Sequence, residues 1–155
     1  MTQEMADCAA EIKDYWGESD AALEHGDADG ANRAFGRVFE IVDTYPAIQE
    51  EDVHALHFLC VLTWVKVAAA LDGTGQQDEA REARQQVFAM LDAEFSGARH
   101  PLTFLKGLES AETVDLIGRL YLLCSKAGRS DALLWGRCFM ELDSKINSGG
   151  SSTIQ

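Results

Sequence analysis

One local pattern occurs three times in this sequence: a helix-forming stretch ends at a glycine, a short polar turn follows, and a second helix-forming stretch begins. The three glycines are Gly26, Gly75 and Gly128. Glycine often ends an α-helix, because the turn that follows needs a backbone conformation that a Cβ atom disfavours. The pattern therefore predicts three pairs of helices, each joined by a tight turn.

The composition predicts an all-α fold. Only two prolines occur among 155 residues, β-branched residues are sparse, and the frequent residues are good helix formers. The hydrophobic content of 46% is sufficient for one domain with its own core. We predict a single helical domain over residues 1–146 with six or seven helices. Residues 147–155, rich in Ser and Gly, are predicted to form a flexible tail.

Apolar spacing and helix-ending residues give approximate bounds for the helices. The third helix is apolar almost all the way round, which predicts a central position. Its apolar run is interrupted by Thr63 and Lys66 and is shorter than the ~20 residues of a membrane span, so a buried core helix is predicted. The predicted helices are about 3–25, 30–44, 50–72, 77–95, 102–108, 111–126 and 131–146.

Charge and cysteine content narrow the function classes. The chain has 26 acidic against 13 basic residues, a formal charge of −13, which disfavours binding to nucleic acid or anionic membranes and favours basic partners. The four cysteines lie within apolar helical patterns, as expected of reduced thiols. The N-terminus lacks the basic and apolar regions of a secretory signal. A cytoplasmic protein is predicted.

One spacing could suggest a metal or catalytic site. Glu51, His54, His57 and Cys60 recur every three residues. Three-residue steps turn by about 300°, so the four positions drift round the helix and cannot all face one ion. Catalysis by Cys60 and His57 would lack a glycine-rich oxyanion loop and a third partner. We predict no enzyme activity, no catalytic residue, no metal and no cofactor; an enzyme using His57 or Cys60 is the disfavoured alternative.

The second helix pair resembles a tetratricopeptide repeat, in which large and small residues alternate at fixed intervals around the turn glycine. The spacing between pairs is longer than in that family: Ala31 to Ala80 is 49 residues and Ala80 to Ala132 is 52, compared with about 34. The chain therefore resembles a divergent member with long repeats. The matching positions of the second pair are Trp64, Val67, Ala68, Leu71, Gly75, Ala80 and Val87.

The resemblance implies a short right-handed solenoid of three antiparallel hairpins, in which the first helix of each hairpin lines a concave groove for a partner protein. The register implies a groove with an apolar floor and acidic edges, suited to a partner helix or peptide with basic flanks. On this basis Trp16→Ala is expected to weaken binding without unfolding the chain. The implied partner-binding residues are Trp16, Asp20, Leu23, Leu62, Val65, Asp72, Asp115 and Leu122.

Two functions follow as alternatives. The first is a non-enzymatic protein-binding module, chaperone or adaptor, by analogy with bacterial secretion chaperones, which hold an amphipathic partner until export. The second is an acidic immunity or anti-defence inhibitor that masks a basic surface of its target. A homodimer is a further alternative if the apolar third helix is buried between two subunits.

Overall fold

A computed structural model describes the backbone of residues 2–96 and 108–154, with side chains up to residue 147. These residues form six α-helices and contain no strand, so the predicted all-α fold is confirmed. The helices are α1 (Gln3–Glu24), α2 (Ala28–Thr44), α3 (Glu50–Gly73), α4 (Gln77–Met90), α5 (Ala111–Lys126) and α6 (Ala132–Ile154), with a π-helical turn at Leu91–Phe95 directly after α4.

Three helices begin at side chains that cap their first turn. The Thr2 hydroxyl accepts a hydrogen bond from the backbone N–H of Met5 at 3.1 Å, which caps α1. Asp27 caps α2 by accepting from the N–H of Gly30 at 2.9 Å. Ser110 caps α5 by accepting from the N–H of Thr113 at 3.2 Å. Each oxygen satisfies an N–H group that the helix itself leaves without a partner.

The three repeated glycines form one type of turn. Gly26, Gly75 and Gly128 have φ angles of +71°, +78° and +69°. In each turn the residue after the glycine donates its N–H to the carbonyl five residues earlier, at 2.8, 2.9 and 3.0 Å. The glycine itself donates to the carbonyl three residues earlier. This double hydrogen bond is the Schellman motif, which requires a left-handed residue, and it confirms the predicted ends of α1, α3 and α5.

The structure differs from the predicted bounds at the ends of two helices. The α4 helix ends at Met90, and Leu91–Phe95 form a π-helical turn instead of continuing the helix to residue 95. The backbone of α6 stays helical to Ile154, beyond the predicted end at residue 146. Of the short helix predicted at 102–108, residues 102–107 lie outside the described residues. The predicted flexibility of residues 147–155 concerns motion and stays a prediction.

Packing follows chain order. The most extensive contacts join α1 to α2, α3 to α4, and α5 to α6, while α3 also contacts α1, α2 and α5. Length and composition alone would allow α3 to cross a membrane, but more than half of its most apolar stretch is buried inside the protein. The apolar character of α3 is thus explained by its central place in the core, which is compatible with a soluble protein.

Two buried contacts fix α3 against its neighbours. On one side, the indole N–H of Trp16 in α1 donates to the hydroxyl of Thr63 at 2.9 Å. On the other, Phe58 stacks on Trp135 of α6 with ring centroids 5.4 Å apart, and meets Phe95 edge-on at 5.5 Å. These contacts join α3 to α1, to α6 and to the π-helical turn.

Candidate partner-binding groove

A surface groove of about 620 Å³ lies where α1, α3 and α5 meet. We call it the acidic groove. Its walls come from α1 and α5 and its floor from α3, with a contribution from Phe35 of α2. The residues of α1, α3 and α5 that line it are Asp20, Leu23, Glu24, Lys66, Ala69, Ala70, Gly73, Glu112, Asp115, Leu116 and Arg119.

Lys66 forms ion pairs with two of the carboxylates that line the acidic groove. Its ammonium group lies 2.9 Å from Asp20 of α1 and 3.4 Å from Glu112 of α5, so one cation joins three helices. The Lys66 side chain is only 11% exposed, and its Nζ lies 6.0 Å from the centre of the Trp16 ring. A lysine this buried needs such partners, because an unpaired ammonium would lose its hydration without compensation.

The groove carries an excess of negative charge. Four carboxylates line it, from Asp20, Glu24, Glu112 and Asp115, against the two cations Lys66 and Arg119. Both cations already have carboxylate partners within the groove, since Arg119 lies 3.3 Å from Asp115. The negative charge of the groove therefore exceeds its positive charge, and a cationic group bound there would be attracted by the carboxylates.

The sequence-predicted residues divide into three sets in the structure. Asp20, Leu23 and Asp115 line the acidic groove, as the resemblance implied. Asp72 lies outside it and pairs with Arg84 of α4 at 3.0 Å. Leu122 is exposed in a second hollow between α5 and α6.

The third set is buried. Trp16 and Leu62 have no exposed surface and Val65 is 2% exposed, so all three belong to the core beneath the groove. The 3.6-residue spacing of apolar residues shows which face of a helix points towards the rest of the protein. It does not show whether a residue on that face is buried in the core or lines a groove, because both kinds of residue have the same spacing. None of the three side chains lines the groove, so none is positioned to contact a bound partner directly.

Among the charged residues that line the groove, sequence reasoning missed four, namely Glu24, Lys66, Glu112 and Arg119. In the sequence, Lys66 was noted only as an interruption of an apolar run. A signal was present, because a lone lysine in the middle of a buried helix must find carboxylates on neighbouring helices. Which carboxylates it finds depends on tertiary packing, which the local pattern does not contain.

The residues at three-residue spacing on α3 are held by separate partners. The His57 ring nitrogen lies 2.6 Å from Glu94 of the π-helical turn, and His54 lies 3.4 Å from Glu50. Cys60 is buried. Within residues 2–96 and 108–147, no group of three or more His, Cys, Asp or Glu side chains is arranged to hold a metal ion.

The four cysteines are free thiols in buried positions. Burial raises the pKa of Cys8 to about 11 and the pKa values of Cys60, Cys124 and Cys138 to about 12. A raised pKa keeps each thiol protonated near neutral pH, and the protonated form is a poor nucleophile.

We therefore expect the folded protein to resist thiol modification. At pH 8 with a thiol-specific chromogenic reagent, none of the four cysteines should react within minutes, and all four should react once the chain is unfolded in guanidinium. The measurement is the number of thiols titrated before and after unfolding. Rapid reaction of one thiol in the folded protein would contradict its buried, protonated state.

No protein family, curated protein or solved structure matches this chain.

Proposed function

We propose that this protein is a non-enzymatic binding module that holds a basic or amphipathic segment of a partner protein in the acidic groove. The main support for this proposal is the groove, which is a concave surface where three helices meet. Its four carboxylates outnumber its two cations, and both cations are already paired with carboxylates. A tetratricopeptide-like solenoid, in which the first helix of each pair lines the concave side, would give the groove this composition. The role would be that of a chaperone or adaptor.

The chemistry of the groove defines the partner. Leu23, Phe35, Ala69 and Ala70 provide apolar surface between the carboxylates. A partner helix or extended peptide with leucine-like anchors and flanking lysine or arginine would bury the anchors and place its cations near Asp20, Glu24 and Asp115. The charged part of this contact is exposed, so binding should weaken as salt is raised. Nucleic acid and anionic membranes would be repelled by the same carboxylates.

A charge-reversal experiment tests the proposal. The probe is a short helical peptide of leucine and lysine, with its leucine–glutamate counterpart as a negative control, measured by fluorescence anisotropy at low and high salt. The double variant Glu24→Lys with Asp115→Lys should weaken binding of the lysine peptide by about tenfold or more, because two attractive contacts become repulsive. Both positions are exposed and should tolerate the change.

A specific observation favours the second candidate, a charge-masking inhibitor. The outward face of α1 carries five acidic residues at alternating spacings of three and four, all exposed. This arrangement places them in one stripe about 20 Å long. We call it the α1 stripe. It would suit a broad basic surface, such as the active site or nucleic-acid cleft of a target enzyme. Its members are Glu4, Asp7, Glu11, Asp14 and Glu18.

The two candidates predict different results for matched variants. Glu11→Lys with Glu18→Lys changes the net charge by the same amount as the groove variant but alters only the α1 stripe. If the groove variant loses the lysine peptide and the stripe variant keeps it, the binding-module proposal is supported. The reverse result supports the inhibitor. Equal loss in both variants would mean that binding depends on net charge alone and would contradict the groove proposal.

A further inference from the structure

A second hollow, of about 550 Å³, lies on the outer face of α5 and α6. We call it the apolar hollow. Three large apolar side chains border it and are unusually exposed: Leu122 at 62%, Leu133 at 71% and Met140 at 70%. A cluster of this kind on a soluble domain indicates a surface that another molecule covers.

The floor of the apolar hollow is built by close packing of α5 against α6. The Phe139 ring lies against Gly118, at 3.0 Å from where a Cβ atom on that glycine would stand. The Tyr121 ring lies against Gly136 at the same 3.0 Å. The two contacts are reciprocal, each glycine on one helix receiving an aromatic ring from the other. They hold both rings in place, so the exposed side chains surround a preformed aromatic floor.

We propose that the apolar hollow is the contact surface of a two-fold dimer, and that its occupant is a second copy of this chain. The distribution of charge favours this occupant. Residues 1–110 contain 21 acidic and 8 basic side chains, whereas residues 111–155 contain five of each. The whole excess of negative charge thus lies outside the hairpin that carries the hollow. A second copy can approach this charge-balanced hairpin with less repulsion than the strongly acidic remainder of the chain would cause.

The shape and rim of the hollow are consistent with self-association. A two-fold contact brings one surface against its own copy, so protruding side chains such as Leu133 and Met140 can enter the hollow of the other subunit. The rim carries Asp115 on α5 and Arg137 on α6. Two-fold pairing can place opposite charges of the two copies across the edge of the contact. By contrast, α3 is buried within one chain and does not provide the interface that its sequence suggested.

The dimer does not depend on the proposed function. The ion pair of Asp115 and Arg119 lies between the acidic groove and the apolar hollow and borders both. Variants of Leu133 change only the hollow, and Glu24 borders only the groove. Leu133→Glu therefore tests the hollow alone and the single variant Glu24→Lys tests the groove alone, whereas Asp115→Lys alters both surfaces.

Sedimentation velocity over a range of protein concentrations tests the dimer. The chain mass is 17.0 kDa, and the wild type should sediment as a species of twice that mass. Leu133→Glu should raise the dimer dissociation constant by about 100-fold or more, because each contact would bury two unpaired carboxylates. The matched control is Ile48→Glu, which adds the same charge at a side chain that is 90% exposed elsewhere. It should remain dimeric. Circular dichroism checks that both variants are folded.

A wild-type chain that stays monomeric up to about 100 µM would overturn the proposal, and a different protein would then be the occupant of the hollow. A Leu133→Glu variant that dimerises as tightly as the wild type would overturn it as well, since the contact would then lie elsewhere. If Leu133→Glu is misfolded, Met140→Lys provides the same test at another exposed position of the hollow.

Discussion

Replacing Trp16 with alanine is expected to lower the free energy of unfolding by about 3–5 kcal/mol, a large part of the about 5–15 kcal/mol available to a domain. The side chain is fully buried between α1 and α3, and its indole N–H donates to Thr63 at 2.9 Å. Alanine would leave a cavity and remove that hydrogen bond. The measurement is a urea unfolding curve followed by circular dichroism.

Matched tryptophan-to-phenylalanine variants separate the hydrogen bond from the cavity. Trp135 is also fully buried, but its indole nitrogen has no hydrogen-bond partner among the residues that the structure describes. Trp16→Phe removes a satisfied donor and Trp135→Phe removes an unsatisfied one, so Trp16→Phe should cost about 1–3 kcal/mol more. Unchanged stability of Trp16→Ala would contradict its burial and would restore the expectation that this tryptophan acts mainly at a binding surface.

Phe58→Ala is expected to destabilise the protein by a similar amount, about 3–5 kcal/mol. Phe58 is fully buried and contacts two other aromatic rings, those of Trp135 and Phe95. Its loss would open a cavity where α3 packs against α6 and the π-helical turn. Thermal unfolding should show a decrease in the midpoint temperature of about 6–20 °C for a domain of this size.

Phe39→Ala is the matched control for Phe58→Ala. Phe39 stacks on Trp64 with ring centroids 4.5 Å apart, but it is only partly buried, so its removal should cost less than half as much. Equal effects of the two substitutions would contradict the placement of Phe58 at the centre of the core.

Local signals predicted the helices well. Gly26, Gly75 and Gly128 end their helices through hydrogen bonds within about six residues, so a short stretch of sequence contains all the information needed. Ser110 caps α5 for the same reason. The π-helical turn was missed because Phe95 is drawn into a cluster with Phe58 and Trp135, which are remote in sequence. Such tertiary contacts override local helix propensity.

The candidate site was predicted only in part. Asp20, Leu23 and Asp115 line the groove, at positions that helical register was enough to bring to one side of the molecule, and their role in binding stays a prediction. Helical register alone could not show whether an apolar residue such as Leu62 is buried in the core or exposed at the surface of the groove. It also gave no sign of the apolar hollow, since Gly118 and Gly136 are close to aromatic rings only when α5 and α6 pack together.

The two surfaces suggest a division of roles within one small domain. Residues 1–110 carry the excess of negative charge, and α1 and α3 form the acidic groove together with α5. The last helix pair has equal numbers of acidic and basic side chains and carries the apolar hollow. If both proposals hold, a dimer would present two acidic grooves, and a partner with two basic segments would bind with the added strength of two linked contacts.

The most direct test of the central claim is to map where a basic segment binds. The measurement is the change in backbone amide chemical shifts of the ¹⁵N-labelled protein on adding the leucine–lysine peptide. We predict that the largest changes cluster around Asp20, Glu24 and Glu112, on the three helices that form the acidic groove. Changes confined to the α1 stripe or to the apolar hollow, or no changes at peptide concentrations of about 1 mM, would contradict the claim.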